Sequence, residues 1–367
     1  MLPAVAAFGV GTLVSLLASW LLVSRLERIG ERLGLSEALL GMVAALAADG
    51  PEITAAVSAL TSHQQSIGAG VVLGSNVFNL AALLGLGAVV AGRIGLHRRV
   101  VVLGGTVAMW VALVSVLVVS GVVSPVAGLV LAAAVLSGYL YVLGREGRGL
   151  RLPARWQAWL RSAVTEEELE LEDAIRPSRG RWPDAVLAAL SLILVIGASV
   201  TMERAAASIG QRAGIPEIIT GGLVLAAVTS LPNAVAAVYL AGRGRGAATL
   251  STALNSNTLN VVAGLLLPGA ILGLGQPTGQ VLQVTTWYAA LTLVVVVIAW
   301  RRRGLNRLAG AAIITAYAAF TISIVISASP TSGGTAIITG LSVLAFLVLL
   351  AGSGPLRSGW GRLPPAD

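Results

Sequence analysis

The chain is 367 residues long, 56% hydrophobic and only 11% charged, with a mean hydropathy of +0.89, so most of it must lie in lipid rather than around a water-soluble core. Its 24 basic residues are all arginine and give a formal charge of +8; their positions read as membrane topology, which excludes nucleic acid as a partner. The absence of cysteine excludes disulfides and thiolate metal sites.

A span length near 20 apolar residues predicts helices at 2–23, 37–61, 66–91, 100–120, 123–143, 183–203, 217–241, 247–273, 280–300, 306–327 and 335–352. These make about 11 spans. The first run has no basic residue before it and is too long for the apolar region of a signal peptide, roughly 7–15 residues, so a retained helix is expected. Arg25, Arg28 and Arg32, then Arg93, Arg98 and Arg99, the eight from Arg145 to Arg181, Arg243 and Arg245, Arg301 to Arg303 with Arg307, and Arg357 with Arg362 all fall on one side. Only Arg204 and Arg212 fall on the other. The positive-inside rule then puts the N-terminus outside and the long central loop in the cytoplasm of a multi-pass cell-membrane protein. Within that loop, RLPARWQAWLRSA carries Trp156 and Trp159 among arginines and reads as an interfacial helix. The EEELELED run that follows lacks the Gly-centred spacing of an EF-hand and reads as a solvated linker. His63 and His97 fall in loops as surface residues, and Glu203 and Glu217 read as solvated helix ends on the outer side.

Two spans in each half carry the same polar pattern. AADGPE and GSNVFN in the first half return as VTSLPN and NSNTLN in the second, and a shift of 181 positions superposes Gly41 on Gly222, Pro51 on Pro232, Ser75 on Ser256, Asn76 on Asn257 and Asn79 on Asn260 without a gap. Polar side chains at bilayer depth are costly, about 2.5–3.5 kcal/mol for a central Asp on insertion scales, so their repetition marks a buried site. Interhelical packing is the competing reading of such Ser and Asn residues, and it does not explain recurrence at matched places. Because five spans precede the central loop, the second set starts from the opposite side. The expected fold is an all-α polytopic membrane protein of two inverted five-helix repeats, 1–143 and 183–327, around a cytoplasmic loop 144–182, with an extra transmembrane helix and cytoplasmic tail over 328–367. Inverted repeats are a transporter architecture, with the substrate held at the midplane by interrupted helices. Pro51 and Pro232 are suitable breakers, each clashing with the carbonyl four residues earlier, Ala47 and Val228, and so leaving those oxygens open to a cation.

With these motifs the chain resembles the calcium/cation antiporter superfamily, closest in layout to the sodium/calcium exchangers, whose halves each carry G-T-S-x-P-E followed by G-S-N-x-x-N or -D. The approach GIPEIITGGLVLAAVTSLP is similar as well. The resemblance implies ion ligands at Glu52, Asn79, Asn233 and Asn260, support from Ser75, Ser256, Thr229 and Ser230, and backbone carbonyls near Ala45 and Ala226. It implies that helices 2, 3, 7 and 8 hold the ion while helices 1 and 6 move as a gate without ligands of their own. The chain departs from the pattern at two points. Asn233 stands where the family has its second acid, and Ala48-Asp49 replaces the first Thr-Ser pair, so both acids, Asp49 and Glu52, sit three residues apart in one segment, on one face if the helix persists.

That pair reads in two ways. Two carboxylates neutralise a divalent cation, with amide, hydroxyl and carbonyl groups completing the roughly 6–8 oxygens that calcium prefers. Alternatively one of them exchanges a proton, and protons replace sodium as the coupling ion. The expected function is a secondary cation antiporter, not an enzyme, exchanging Ca2+ against Na+ or H+ by alternating access. Its partners are inorganic cations and the lipid bilayer, with no cofactor beyond the transported ions, and the sequence indicates no oligomeric state. The alternative is a membrane protein that keeps the scaffold without transporting, motivated by the missing acid at Asn233.

Overall fold

The structure, a computed structural model, describes residues 1–146, 152–172, 181–275 and 278–328. The extra helix expected over 335–352, and the tail after it, lie outside the described residues.

The first half runs α1 (Leu2–Leu33), α2 (Glu37–Ala48), α3 (Gly50–Thr61), α4 (Gln65–Asn79) continued through a π-helical stretch Leu80–Leu86 into α5 (Gly87–Ala91), a short strand β1 (Arg93–Gly95), α6 (Arg98–Val119) and α7 (Pro125–Gly144). Between the halves lies α8 (Ala154–Glu172). The second half runs α9 (Trp182–Ala213), α10 (Glu217–Ile219), a π-helical stretch Thr220–Leu225, α11 (Ala226–Thr229), α12 (Leu231–Gly242), α13 (Gly246–Leu259) continued through π-helical Asn260–Leu266 into α14 (Leu267–Leu272), α15 (Gly279–Arg302), β2 (Gly304–Asn306) and α16 (Arg307–Ala328). The shift of 181 residues found in the motifs therefore holds for whole elements. α3 and α12 coincide residue for residue, and the other matched helices start within one residue of their counterparts.

Seven of the described helices are long and apolar enough to cross a membrane, or nine if each bent pair counts as one span. The bent pairs are Ala38–Ala48 with Gly50–Thr61, at 47°, and Glu217–Thr229 with Leu231–Gly242, at 44°. The breaks fall at Asp49 and Ser230, each followed two residues on by proline. Pro51 and Pro232 carry no N–H to continue the ladder, and the helices resume beyond them, with Ile53 N–H on Asp49 O and Ala234 N–H on Ser230 O. The helix on which Asp49 and Glu52 were expected to share a face is thus bent at Asp49 itself, with Glu52 in the first turn beyond it.

Burial sorts the helices into a centre and a rim. In Gln65–Ala91 94% of the most apolar window is buried, against 28% in α1, so α4 is the axis of the bundle while α1 turns Leu13, Leu17 and Trp20 outward, as lipid-facing side chains do. Each of α1 and α9 has 32 residues, about 48 Å at 1.5 Å per residue, and both end in a left-handed glycine, Gly34 and Gly214, that returns N–H groups to the last carbonyls. They lie antiparallel: Ser15 Oγ and Ser199 Oγ are 2.7 Å apart, and Arg25 Nη1 donates to Asp184 Oδ1 at 2.8 Å.

Two features depart from the sequence reading. β1 and β2 pair antiparallel, Ile94 opposite Leu305, so a two-stranded ribbon with both side chains buried joins the repeats in an otherwise helical fold. α8 does not lie free on the membrane: Ala163 and Val164 are fully buried, Val164 packs with Ala38, Met42, Ala45 and Leu259, and Arg99 bonds to Ser162. The backbone of the acidic run, read as a linker, continues this helix to Glu172. His63 and His97 are exposed, as expected.

The axis helix crosses the second π-helical stretch through bare backbone. A Cβ on Gly74 would lie 2.2 Å from Gly222 O, whereas one on Gly222 would meet nothing closer than 3.6 Å. Gly74→Ala is therefore expected to destabilise the fold by about 1–3 kcal/mol or more, the cost of overpacking, and Gly222→Ala to leave it nearly unchanged. Unfolding temperatures of the two variants in detergent check this asymmetry.

Candidate cation site

The site is assembled at the two helix breaks and the two polar helices that cross them. Asp49, Glu52, Ser75, Asn76, Asn79, Ser230, Asn233, Ser256, Asn257 and Asn260 are all at most 1% exposed. Glu52 lies in the first turn of α3, where the unpaired N–H groups and the helix dipole favour a negative charge. Its Oε1 accepts from Ser230 Oγ and its Oε2 from Asn260 Nδ2. Asp49 caps no backbone N–H with its side chain; its Oδ1 accepts from Asn233 Nδ2 and from Ser256 Oγ, both at 2.6 Å.

These bonds obey the pseudo-symmetry of the chain. Asp49 and Ser230 are counterparts, as are Glu52 and Asn233, so the contact of Asp49 with Asn233 is the image of that of Glu52 with Ser230. At the centre, Asn76 Nδ2 donates to Asn257 O and Asn257 Nδ2 donates to Asn76 O, each at 3.0 Å, a reciprocal exchange that only a two-fold relation gives. Around it, Asn79 Nδ2 donates to Asn257 Oδ1 at 3.1 Å and Asn260 Nδ2 to Asn76 Oδ1 at 3.3 Å. Asn79 Nδ2 also reaches Ser256 Oγ at 3.2 Å, and Asn233 Nδ2 the same hydroxyl at 3.3 Å.

Of the residues that the sequence pointed to, Asp49, Glu52, Asn79, Ser230, Asn233, Ser256 and Asn260 meet in this one network. Ser75 is buried on α4 beside Asn76, with its hydroxyl 3.0 Å from Val72 O and its side chain also within hydrogen-bonding reach of the Glu52 carboxylate. Thr229 is turned back on its own helix, to Leu225 O at 2.9 Å and Ala226 O at 3.3 Å. The Ala45 carbonyl accepts a backbone bond from Asp49 N–H, which leaves it a second lone pair, whereas the Ala226 carbonyl accepts from both Ser230 N–H and the Thr229 hydroxyl. The expectation that proline leaves the Ala47 carbonyl open is corrected: Ser19 Oγ of α1 donates to it at 3.2 Å. α1 thus touches the break through a hydroxyl, whereas the equivalent position on α9 is Val200. The sequence reading gave Asn76 and Asn257 no place in the site, although both carried the signal that would have found them, repetition at the same offset.

Three buried oxygens in this network have no hydrogen-bond partner: Asp49 Oδ2, Asn79 Oδ1 and Asn260 Oδ1. Unpaired acceptors cost free energy when buried, and oxygens of this kind are ligands that a hard cation accepts. The donor set is all oxygen, which suits hard cations such as calcium, magnesium or sodium rather than zinc or copper. Among the described residues no three His, Cys, Asp or Glu side chains cluster, so the amides and hydroxyls supply most of the polarity and two carboxylates supply the charge.

A family model described as sodium/calcium exchanger protein matches residues 3–144 and 184–326. The chain belongs to this exchanger family. Over 141 residues it is 32% identical to the sodium/potassium/calcium exchanger Nckx30C of Drosophila melanogaster, and over 111 residues 31% identical to the Homo sapiens sodium/potassium/calcium exchanger 3. These alignments cover 36% and 30% of this chain but only 15% and 17% of those longer relatives. The crystal structure of the H+/Ca2+ exchanger CAX is similar with a TM-score of 0.67 at 16% identity, over 95% of this chain and 88% of that one. The sodium-calcium exchanger NCX_Mj, soaked with 10 mM Na+ and zero Ca2+, is similar with a TM-score of 0.57 at 19% identity, over 89% of this chain and 99% of that one. At these identities the two structures show that the exchanger-family chain has the fold of helical polytopic ion exchangers.

The reciprocal amide pair should act as a unit in folding. Asn76→Ala and Asn257→Ala are each expected to cost about 1–3 kcal/mol, because each removes a buried donor to a carbonyl that then keeps only its own helix's bond, and also removes the amide oxygen that accepts from a neighbouring asparagine. The double variant should cost less than their sum. A double-mutant cycle read by thermal unfolding in detergent checks the coupling.

Proposed function

We propose that the protein is a secondary antiporter that exchanges Ca2+ against Na+ or H+ by alternating access, with the ion held between the two broken spans and the polar helices α4 and α13. The observation that carries this reading is the trio of unpartnered buried oxygens, Asp49 Oδ2, Asn79 Oδ1 and Asn260 Oδ1, at the break of the first-half span, which supplies the carboxylates Asp49 and Glu52 and faces the break of its inverted counterpart. Asp49 and Glu52 together offer two negative charges, which match one divalent ion, two sodium ions or two protons. Exchange on such a site follows from charge balance: the buried pair is stable only when its charge is matched, so one cargo leaves as the other arrives.

The acid absent from position 233 has a substitute across the pseudo-two-fold. Asp49 Oδ1 accepts from Asn233 at 2.6 Å, so the second charge lies against the amide that took the acid's place. This contact removes the motive for a scaffold that binds without transporting. The long helices α1 and α9, the first of each repeat, would move against the ion-holding helices as the gate. The arginine pattern supports a cell-membrane protein with its N-terminus outside and α8 in the cytoplasm.

In proteoliposomes with an imposed sodium or proton gradient, the unsubstituted protein should accumulate labelled calcium. Glu52→Gln should raise half-saturating calcium by at least about tenfold, since one charge facing a divalent ion is lost at contact distance. Absence of flux of any cation under either gradient would overturn the exchanger reading. Asp49→Ser should be inactive, and adding Asn233→Glu should restore part of the flux; a folded double variant without recovery would show that the two positions do not share the charge.

A further inference from the structure

Glu203 is a buried carboxylate that the central site does not use. Read from sequence as a solvated helix end, it lies in the body of α9 and is 1% exposed. Ser58 Oγ of α3 donates to its Oε2 at 2.8 Å, and its Oε1 is buried with no hydrogen-bond partner. Among the described residues no arginine lies within ion-pairing distance of Glu203, and the one whose charge acts on it is its exposed neighbour Arg204. The groups around it are few. Arg204 on its own helix and Glu217 at the start of α10 are exposed, Glu52 is the nearest acid along α3, and neither α1 between Leu2 and Ser24 nor the stretch Thr220–Leu225 has a titratable side chain.

The position of the pair gives it a role. α3 and α9 run side by side from the helix break, where Gly50 packs against Val195, to Ser58 against Glu203. Ser58 is six residues beyond Glu52, about 9 Å along the axis at 1.5 Å per residue, in the direction of Thr61 and of the face carrying Arg204 and Arg212. The pseudo-symmetry has no counterpart: the 181-residue shift maps Glu203 onto Leu22 and Ser58 onto Tyr239. Only one of the two equivalent interfaces therefore carries a charge, beside the seam that joins the central site to one face of the membrane.

A buried carboxylate with one hydroxyl donor and one bare oxygen requires a single positive charge. One carboxylate and one hydroxyl fall far short of the roughly 6–8 oxygens of a calcium site. We propose that Glu203 and Ser58 form a second, monovalent cation site, loaded by Na+ or by a proton, on the route between the central site and the face bearing Arg204. The role in a transport route rests on the exchanger reading, but the binding itself does not.

The test reads binding rather than flux. The central carboxylates are neutralised in the full-length purified chain as Asp49→Asn/Glu52→Gln, and its unfolding temperature is followed against NaCl at fixed pH, with choline chloride holding ionic strength, and against pH without sodium. A saturable rise of a few degrees with Na+ assigns the site to sodium, and a change with pH alone assigns it to the proton. Adding Glu203→Gln, which keeps size and the Ser58 contact, should remove whichever dependence is found. Glu203→Leu, the residue of the other half, should do the same. A dependence that survives Glu203→Gln, or none in the neutralised background, overturns the proposal. Should that background not fold, the comparison is made between the unsubstituted chain and Glu203→Gln, where an unchanged Na+ and pH dependence overturns it equally. Loss of calcium flux with this dependence intact would sink the exchange reading and leave the second site standing.

Discussion

Asn76 and Asn257 each donate to the other's backbone carbonyl at 3.0 Å, at the deepest point of the bundle. Amide groups there have no water to turn to, so the exchange fixes how the two halves meet. With that pair in place, polar residues of the second half's crossing helix lie against the break in the first half. Asn260 meets Glu52 and Ser256 meets Asp49. The site is therefore made at the contact between repeats, and neither half holds it alone.

The symmetry of position is not matched by symmetry of charge. Both carboxylates come from the first half, one at its bend and one in the turn beyond, and the second half answers with Ser230 and Asn233. Such an arrangement keeps two negative charges at the centre while the framework around them stays two-fold, and Glu203 extends the same imbalance outward, toward one face only. Inverted repeats make two equivalent routes by construction; it is the substitutions that make the routes different.

Much of this was legible in the sequence because membrane helices write their polar residues plainly. The 181-residue offset, visible in five residue pairs, carried over to whole helices, and Pro51 and Pro232 marked bends of 47° and 44°. What the sequence hid were contacts that depend on a neighbouring helix. The Ala47 carbonyl was expected to be open, yet Ser19 of α1 lies against it. Glu203 was read as a helix end because the apolar run stops there, while α9 continues ten residues further as a helix that packs on α3. The pairing of Arg93–Gly95 with Gly304–Asn306 joins segments more than two hundred residues apart and has no local signature. α8 reads as a surface helix by its tryptophans and arginines, and only Ala163 and Val164, unremarkable in sequence, show that it is docked.

The long antiparallel pair at the rim has a mechanical meaning. Ser15 against Ser199 near the middle, and Arg25 against Asp184 toward one end, fasten α1 to α9 at two points along their length. Two rods pinned twice cannot slide past each other or scissor apart without breaking a buried hydroxyl contact or an ion pair. Any shift across the core would therefore carry both as one beam, and whatever room it opened at one membrane face it would take from the other.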